Sequence, residues 1–575
     1  MQPKRWEVKK PEPFLSGKIS NALGISPWTA QLLINRGSKT PQEAEMFLNG
    51  NLSNLHSPYL LEGVEEASAR VFQAIANGEK ILVYGDYDVD GITSLCLMIL
   101  VLKRLGANVS YYMPHRVRDG YGLNIGAIKK AEHDGINLII TCDCGMDGYE
   151  EISTAKQKGI DTIIVDHHKA GVRIPPAFAV INPKVCSYPF KELAGVGVVF
   201  KFAQVLQEKK ELDFIEEHLD LVVLGTVSDV VPLTGENRIL VKYGLDKLNS
   251  SQKIGINALK KTAKINNKNI TARDIAFILG PRLNAGGRMD TADKCVKMLL
   301  NQSEEEALKI ASLLEEDNKE RQKIQEEICQ EAIRMTEENF NLRESRVLVL
   351  ANEGWHPGII GIVSSRLAEK FSRPVILISL DNGIGRGSGR SVGDFNLFEN
   401  LEKAKEHLAD FGGHKYACGL EISQDNIEPF RMKINQLAEK LPVEEFTASL
   451  TADAYMSLDT LTNSVVKEFQ LFSPFGLDNE EPLFITKNLQ IITEPKKVGS
   501  NHIKFWVKDK NFHREVIGFG KADYLGVLDK QDVIDLAYNA QIDGWENRNA
   551  IILKMEDIHP VRNFILNKKE ALDKL

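Results

Sequence analysis

The sequence predicts a multidomain α/β protein: a parallel-sheet domain, a long connecting helix, a smaller α/β domain and then a small β-barrel. Three observations predict it. Short apolar runs alternate with helical patterns over residues 76–300 and again from 346, as crossover-connected parallel strands require. A charged amphipathic stretch fills 301–345. Beyond 446 the pattern changes to short alternating runs, which suit a small barrel. A chain of 575 residues has length for several cores.

Taken in order, residues 1–75 read as helices and loops around Gly37 and Pro41, a lead-in module without a readable function. In 76–300, apolar runs at 81–85, 138–141, 162–165 and 221–225 read as strands, and 92–105, 148–158, 195–206 and 272–279 as helices. In 301–345, Leu308, Leu313, Leu314, Ile324, Ile328, Ala332 and Met335 recur among Glu, Lys and Arg. This predicts a helix packed on a domain; a coiled-coil dimer is the alternative, but the repeat is irregular. Residues 346–445 form the second α/β unit, with strands at 347–350 and 375–378, a helix at 359–371 and five glycines between 383 and 393. In 446–560, runs at 489–493, 502–507 and 515–519 read as strands, and an oligonucleotide-binding barrel is one fold they fit. Lys504, Phe505, Trp506 and Lys508 interleave there, as on a base-stacking and phosphate-binding surface or an ordinary half-buried strand. Residues 561–575 are a short tail.

A net charge of -8 argues against a chain coated in basic charge, though a groove needs only local positive potential. Lys253, Lys260, Lys261, Lys264, Lys268 and Arg273, with no acid between them, are one candidate for nucleic-acid contact, or else a solvated face. Seven cysteines do not suggest a disulfide framework, and Cys142 and Cys144 read as small packing residues. No apolar signal core and no long apolar stretch is seen, so no membrane partner is expected and the expected location is cytoplasmic.

The chemistry lies where the apolar runs end. Asp86, Asp88 and Asp90 follow the first, Asp143 the second, Asp166, His167 and His168 the third, and Asp229 the fourth. Parallel sheets place ligands beyond the carboxyl ends of their strands. A pocket of carboxylates with some imidazole suits Mn2+ or Mg2+ better than a soft metal. If the first strand continued, Asp88 and Asp90 would share a face and serve neighbouring metals. Without cations these like charges repel and some carboxyl groups resist ionisation. Two metals about 4 Å apart can activate a water and stabilise a leaving oxygen, so the expected reaction is hydrolysis of a phosphoester or phosphoanhydride. Neither a P-loop nor a dinucleotide-binding glycine signature is present, which argues against ATP use and hydride transfer.

The stretches Gly85-Asp86-Tyr87-Asp88-Val89-Asp90-Gly91 and Asp166-His167-His168 resemble the DHH phosphoesterase superfamily. Residues 225–233, 280–289, 387–391 and 412–415 carry the resemblance further, toward its bacterial single-strand-specific 5′→3′ exonucleases, and the last two resemble the accessory DHHA1 domain. The resemblance implies a DHH domain at 76–300, a DHHA1 domain at 346–445 and an OB-like nucleic-acid-binding domain at 446–560. It implies a metal site of Asp86, Asp88 and Asp143, and another of Asp90, Asp143, His167 and Asp229, with Asp143 bridging. Some relatives carry His where this chain has Tyr84, so Asp86 is the expected ligand there. His168 is implied to touch the scissile phosphate, with Asp166 orienting a histidine. Arg282, Asn284 and Arg288, in a glycine-rich bend, are implied to meet backbone phosphates, and Ser388, Arg390, His414 and Lys415 the strand's end, the glycines admitting backbone N–H groups to an anion.

The implied activity is release of 5′-mononucleotides from single-stranded DNA by a two-metal-ion hydrolase acting in recombination and repair. A monomer is implied, with a single-strand-binding protein and a RecQ-type helicase as partners. Two alternatives remain: a small-substrate phosphodiesterase or oligoribonuclease of the same superfamily, and a non-catalytic replication scaffold. Length and residues 450–560 favour the first reading over the small-substrate one, and the intact acids oppose the scaffold.

Overall fold

The computed structural model describes residues 4–116, 118–120, 122–171, 173–341, 345–439, 448–543 and 550–561. They fall into two compact units, Asn51–Pro442 and Met1–Gly50 with Val443–Leu575. The expected lead-in of 1–75 is therefore not one module. The tail beyond 561 lies outside the described residues.

In Asn51–Pro442 the first sheet is formed by β1 (Lys80–Gly85), β2 (Asn108–Tyr112), β3 (Leu138–Cys142), β4 (Asp161–Val165) and β5 (Ala179–Ile181). Its order is β2-β1-β3-β4-β5, all parallel. Apolar residues alternate between its faces. Ile81, Val83, Ile140 and Ile163 join one core, and Leu82, Tyr84, Ile139 and Ile164 the other. Both faces are covered, so the strands read as continuous apolar runs. The first core is closed by helices α1 (Val89–Arg104), α2 (Gly195–Glu208), α3 (Leu219–Ser228) and α4 (Gly235–Asn249).

Two sequence expectations change here. The run at 221–225 is not a strand: it lies in α3, buried from Leu219 to Val227. A short, fully buried apolar run has no period that separates helix from strand. Nor does β1 continue through the acids. It stops at Gly85, and Asp88 caps α1, its side chain accepting from Gly91 N at 3.0 Å.

The glycine-rich bend at 280–289 is likewise a helix, α5 (Gly280–Met289), entered through a π-helical turn at Ile275–Leu279. The long helix α6 (Glu304–Asn339) then spans 36 residues, about 54 Å at 1.5 Å per residue. Its first half packs Ala307, Ala311 and Leu314 on the parallel-sheet core; its second half packs Ile328, Cys329 and Ala332 on the next domain. That domain holds β6 (Leu348–Asn352), α7 (Ile360–Phe371), β7 (Val375–Asp381), β8 (Ile384–Arg390), β9 (Asp410–His414) and β10 (Ala417–Ser423). The sheet order is β9-β10-β8-β7-β6, and only β6 and β7 are parallel.

The second unit is built on five strands that close on themselves. Phe484–Ile491, Val533–Ile542, Ile551–Pro560, Phe512–Gly518 and His502–Asp509 pair in that order, and the last pairs back to the first. Closure removes the sheet edges. Residues 4–50 complete this unit: Arg5–Val8 runs parallel to Ser449–Ala452, and Ile19, Leu32, Leu33 and Ala44 share a core with Leu458, Phe472 and Phe484. Trp6 Nε1 donates to Asp557 at 2.8 Å and its ring stacks on His559 at 3.8 Å. Phe505 faces this core, 1 % exposed, so it is no stacking surface; Trp506 points outward.

Candidate active site

The acids and histidines gather beyond the carboxyl ends of β1, β3 and β4. Asp143, just past β3, has φ 63°, a left-handed conformation that side chains rarely adopt. Asp166, past β4, is buried and accepts from His167 N (2.7 Å), His168 N (3.1 Å) and Met146 N (3.1 Å). It also pairs with His168 Nδ1 at 2.8 Å. Burial alone would raise its pKa, but His168 holds it at about 2. Burial would lower His168 in turn, and Asp166 lifts it to about 9. The pair therefore favours an imidazolium beside a carboxylate at neutral pH.

His167 behaves differently. Burial and the neighbouring His168 charge hold its pKa down at about 3. Its Nδ1 meets Leu193 O at 3.0 Å, which fixes the proton there and turns the Nε2 lone pair inward. Nε2 lies 3.2 Å from Asp143 Oδ1 and 3.6 Å from Asp229 Oδ2. At the start of α2, Gly195 N and Val196 N donate to the two Asp90 oxygens at 2.7 and 2.8 Å. The packing leaves no room for a side chain: a Cβ at Gly195 would come within 2.4 Å of Asp143 Oδ1, and one at Gly225 within 2.3 Å of Thr93 Oγ1.

Two groups have ligand atoms mutually within 4.8 Å: Asp143, His167 and His168, and Asp90, His167 and Asp229. Asp86 and Asp88 belong to neither group. Burial first, then carboxylate repulsion, raises Asp90 to about 7 and pushes Asp86, Asp143 and Asp229 well above the ordinary range. Asp86 Oδ1, Asp143 Oδ1 and His167 Nε2 are buried without hydrogen-bond partners. Such atoms, held among like charges, fit divalent cations. Tyr84 takes no part, since its hydroxyl donates to Gly122 O at 2.8 Å on the sheet's other face.

The arginines divide. Arg282 is tied to Glu315 (2.6 Å) and to Ile278 O (2.7 Å). Arg288 reaches Gly358 O at 3.0 Å. Burial, then the like charges of Arg116, Arg321 and Arg390, bring its pKa down to about 9, against the pull of Asp88. These four guanidinium groups make a cationic cluster next to the acids. Asn284 is half-buried in α5. Arg390 Nη1 donates to Gly389 O (2.7 Å) and Ser388 Oγ (3.3 Å). His414 is exposed on β9, and Lys415 pairs with Asp394 at 2.9 Å. Gly385, Gly387 and Gly389 are explained by packing rather than by an anion: a Cβ there would strike Ile378, Leu420 and Leu397. The basic run at 253–273 is largely consumed too. Lys253 binds Asp220, Lys268 binds Asp274, and Lys260 donates to Leu248 O.

Sequence reasoning missed Arg116, Arg321 and the backbone groups of Leu193, Gly195 and Val196. Arg116 follows β2 and obeys the same strand-end rule as the acids. Gly195-Val196-Gly197 marks a close approach, but its partner is not readable from the sequence.

Family models match the chain in three places: the DHH family N-terminal domain over residues 80–226, the DHHA1 domain over 344–440 and the RecJ OB domain over 452–557. The single-stranded-DNA-specific exonuclease RecJ of Bacillus subtilis is 36% identical over 560 residues, 96% of this chain and 70% of that protein. This chain belongs to the RecJ family. The Escherichia coli RecJ is 32% identical, over 93% of this chain and 96% of its own length. The Thermus thermophilus RecJ crystal structure with Mn2+ superposes with a TM-score of 0.85 at 27% identity, over 97% of this chain and 80% of that one. A second crystal structure of that RecJ, with Mg2+, has a TM-score of 0.79. Among the described residues no helix is long and apolar enough to cross a membrane.

Proposed function

We propose that this chain is a single-stranded-DNA-specific 5′→3′ exonuclease, releasing 5′-mononucleotides by two-metal-ion phosphodiester hydrolysis in DNA recombination and repair. The observation that carries the reading is the buried acid–imidazole cluster around His167, with unpartnered ligand atoms, in a RecJ-family chain. By family resemblance, Asp90, Asp143, His167 and Asp229 would hold one divalent ion and Asp86, Asp88 and Asp143 the other, Mn2+ or Mg2+. Bound there, the ions supply a water nucleophile at neutral pH and charge to balance the leaving oxygen.

The side chains do the rest. Asp166 keeps His168 protonated, and the Nε2 edge of that ring donates to an oxygen of the scissile phosphate as negative charge grows. Arg390 draws the terminal phosphate, assisted by Ser388, His414 and Lys415. Arg288 and Asn284 contact the backbone phosphates further along, with the charges of Arg116 and Arg321 acting on Arg288. Arg282 supports α5 through Glu315 instead. The barrel lengthens the grip on single-stranded DNA, which makes affinity salt-sensitive. The setting is a cytoplasmic monomer that receives strands with a single-strand-binding protein and a RecQ-type helicase; family resemblance supports these last points.

The test uses Mn2+ and strands labelled separately at each end, with Asp143→Ala as control. Immediate release of labelled 5′-mononucleotide from the 5′-labelled strand, lost in the variant, is the expected result. Turnover of dinucleotides alone would move the chain to the small-substrate branch, and no turnover despite bound Mn2+ would make it a scaffold.

A further inference from the structure

One fully buried amide joins the backbone segment that orients two metal-site side chains to the segment that carries a third. Asn237 lies in the first turn of α4 with no exposed surface. Its Nδ2 donates both hydrogens, one to Glu192 O and the other to Pro232 O at 3.1 Å. Its Oδ1 has no hydrogen-bond partner. That orientation is forced, because a flipped amide would set its oxygen against two carbonyl oxygens.

Neither segment is an ordinary loop. Glu192 precedes Leu193, whose carbonyl holds His167 Nδ1. The chain then runs directly into Gly195 and Val196, which hold both oxygens of Asp90. Pro232 lies three residues past Asp229, beyond Val230, which has φ 59° and is 63% exposed. A β-branched residue keeps such a conformation only where its surroundings impose it, and an exposed side chain adds little packing to do so. The amide itself stands on a fixed base. Neighbouring Glu236 binds Lys201 Nζ (2.6 Å), the Tyr188 hydroxyl (2.7 Å) and His56 N (2.9 Å).

The geometry points to Asn237 as a positioning residue for the Asp90–His167–Asp229 metal site, setting the spacing of its ligands without touching ion or substrate. One donor holds the segment that orients His167 and Asp90, and the other holds the segment that carries Asp229. This rests on the proposed two-metal reading.

The test is calorimetric titration of Mn2+ into the metal-free full chain. Asn237→Asp keeps the shape and replaces the donors with oxygens. Misplaced outer-shell support lowers metal affinity about 10–100-fold, and that is the expected loss, with a smaller Mn2+-induced rise in melting temperature. Leu240→Ala, in the same helix and buried in the core, is the control: it lowers melting temperature and leaves the Mn2+ Kd unchanged. Asn237→Ser, which keeps one donor, should fall between. Wild-type Mn2+ affinity in folded Asn237→Asp or Asn237→Ser overturns the inference. Failure of both to fold also overturns it, since a role in the whole fold would then account for the residue. No Mn2+ binding by the parent would instead remove the two-metal reading.

Discussion

Replacing Asp90 by asparagine should change the stability of the metal-free protein in a pH-dependent way. Burial, then Asp88, raises the Asp90 pKa to about 7 in the fold, against the opposing pull of the Val196 and Gly195 N–H groups. An unfolded aspartate titrates near 3.9. A pKa raised by folding contributes stability that is fully present below about 3.9 and is lost as pH rises through about 7. At pH 8 the ionised wild-type side chain therefore disfavours the fold by about 4 kcal/mol relative to a neutral group; at pH 5 the figure is about 1–2 kcal/mol. Asparagine removes this penalty but turns an NH2 toward one of the two backbone donors, costing about 1–3 kcal/mol at either pH. The variant should thus be near neutral or destabilised at pH 5 and stabilised at pH 8, a swing of about 2–3 kcal/mol. For a unit the size of Asn51–Pro442 that is about 3 °C in Tm. Melting curves of both proteins in EDTA, at pH 5 and 8, read it directly. An unchanged Tm difference between the two pH values would refute the argument that burial and repulsion load this carboxylate. Saturating Mn2+ should invert the ranking at pH 8.

Three further outcomes are expected. His168→Ala should lower kcat about 100–1000-fold with little change in Mn2+ affinity by calorimetry; the parent's activity should decline above about pH 9, as His168 loses its proton, and the variant should lack that limb. Arg390→Lys should raise KM about 10-fold for strands with a 5′-phosphate and leave 5′-hydroxyl strands unaffected in steady-state assays. Trp6→Ala removes the bond to Asp557 and the stack on His559; urea denaturation should show the barrel unit weakened by about 2–3 kcal/mol, with Mn2+ binding intact.

The acids at the ends of β1, β3 and β4 were legible because a single carboxylate after a strand serves as a helix cap or turn, as Asp88 does, whereas acids repeated after several strands exceed that need. The arrangement around Asp229 was legible only in part. Its run at 221–225 carries no period when every side of the helix is buried, so the right residue was found on the wrong element. Asp88 and Asp90 were likewise found, but through a strand face that does not exist; a helix start brings them to the site instead. The glycines of β8 illustrate the opposite error: each is small because a neighbouring side chain needs the space. Long-range partners had no local signal at all. Nothing near Arg282 announces Glu315, and nothing near Trp6 announces Asp557.

That last pairing bears on how the protein is made. The strand Arg5–Val8 and the helices up to Asn49 leave the ribosome long before their core partners, which begin at Ser449. At about 5–20 residues per second, the interval is about 20–80 s of synthesis. Throughout it the apolar faces of Ile19, Leu32 and Leu33 lack the surface they are shaped for, while the intervening unit can complete its own core. The barrel must close late, across a contact of very long sequence separation, which slows folding. Expression conditions that shorten this wait or shield the early segment should therefore govern the yield of native protein more than changes within the catalytic unit.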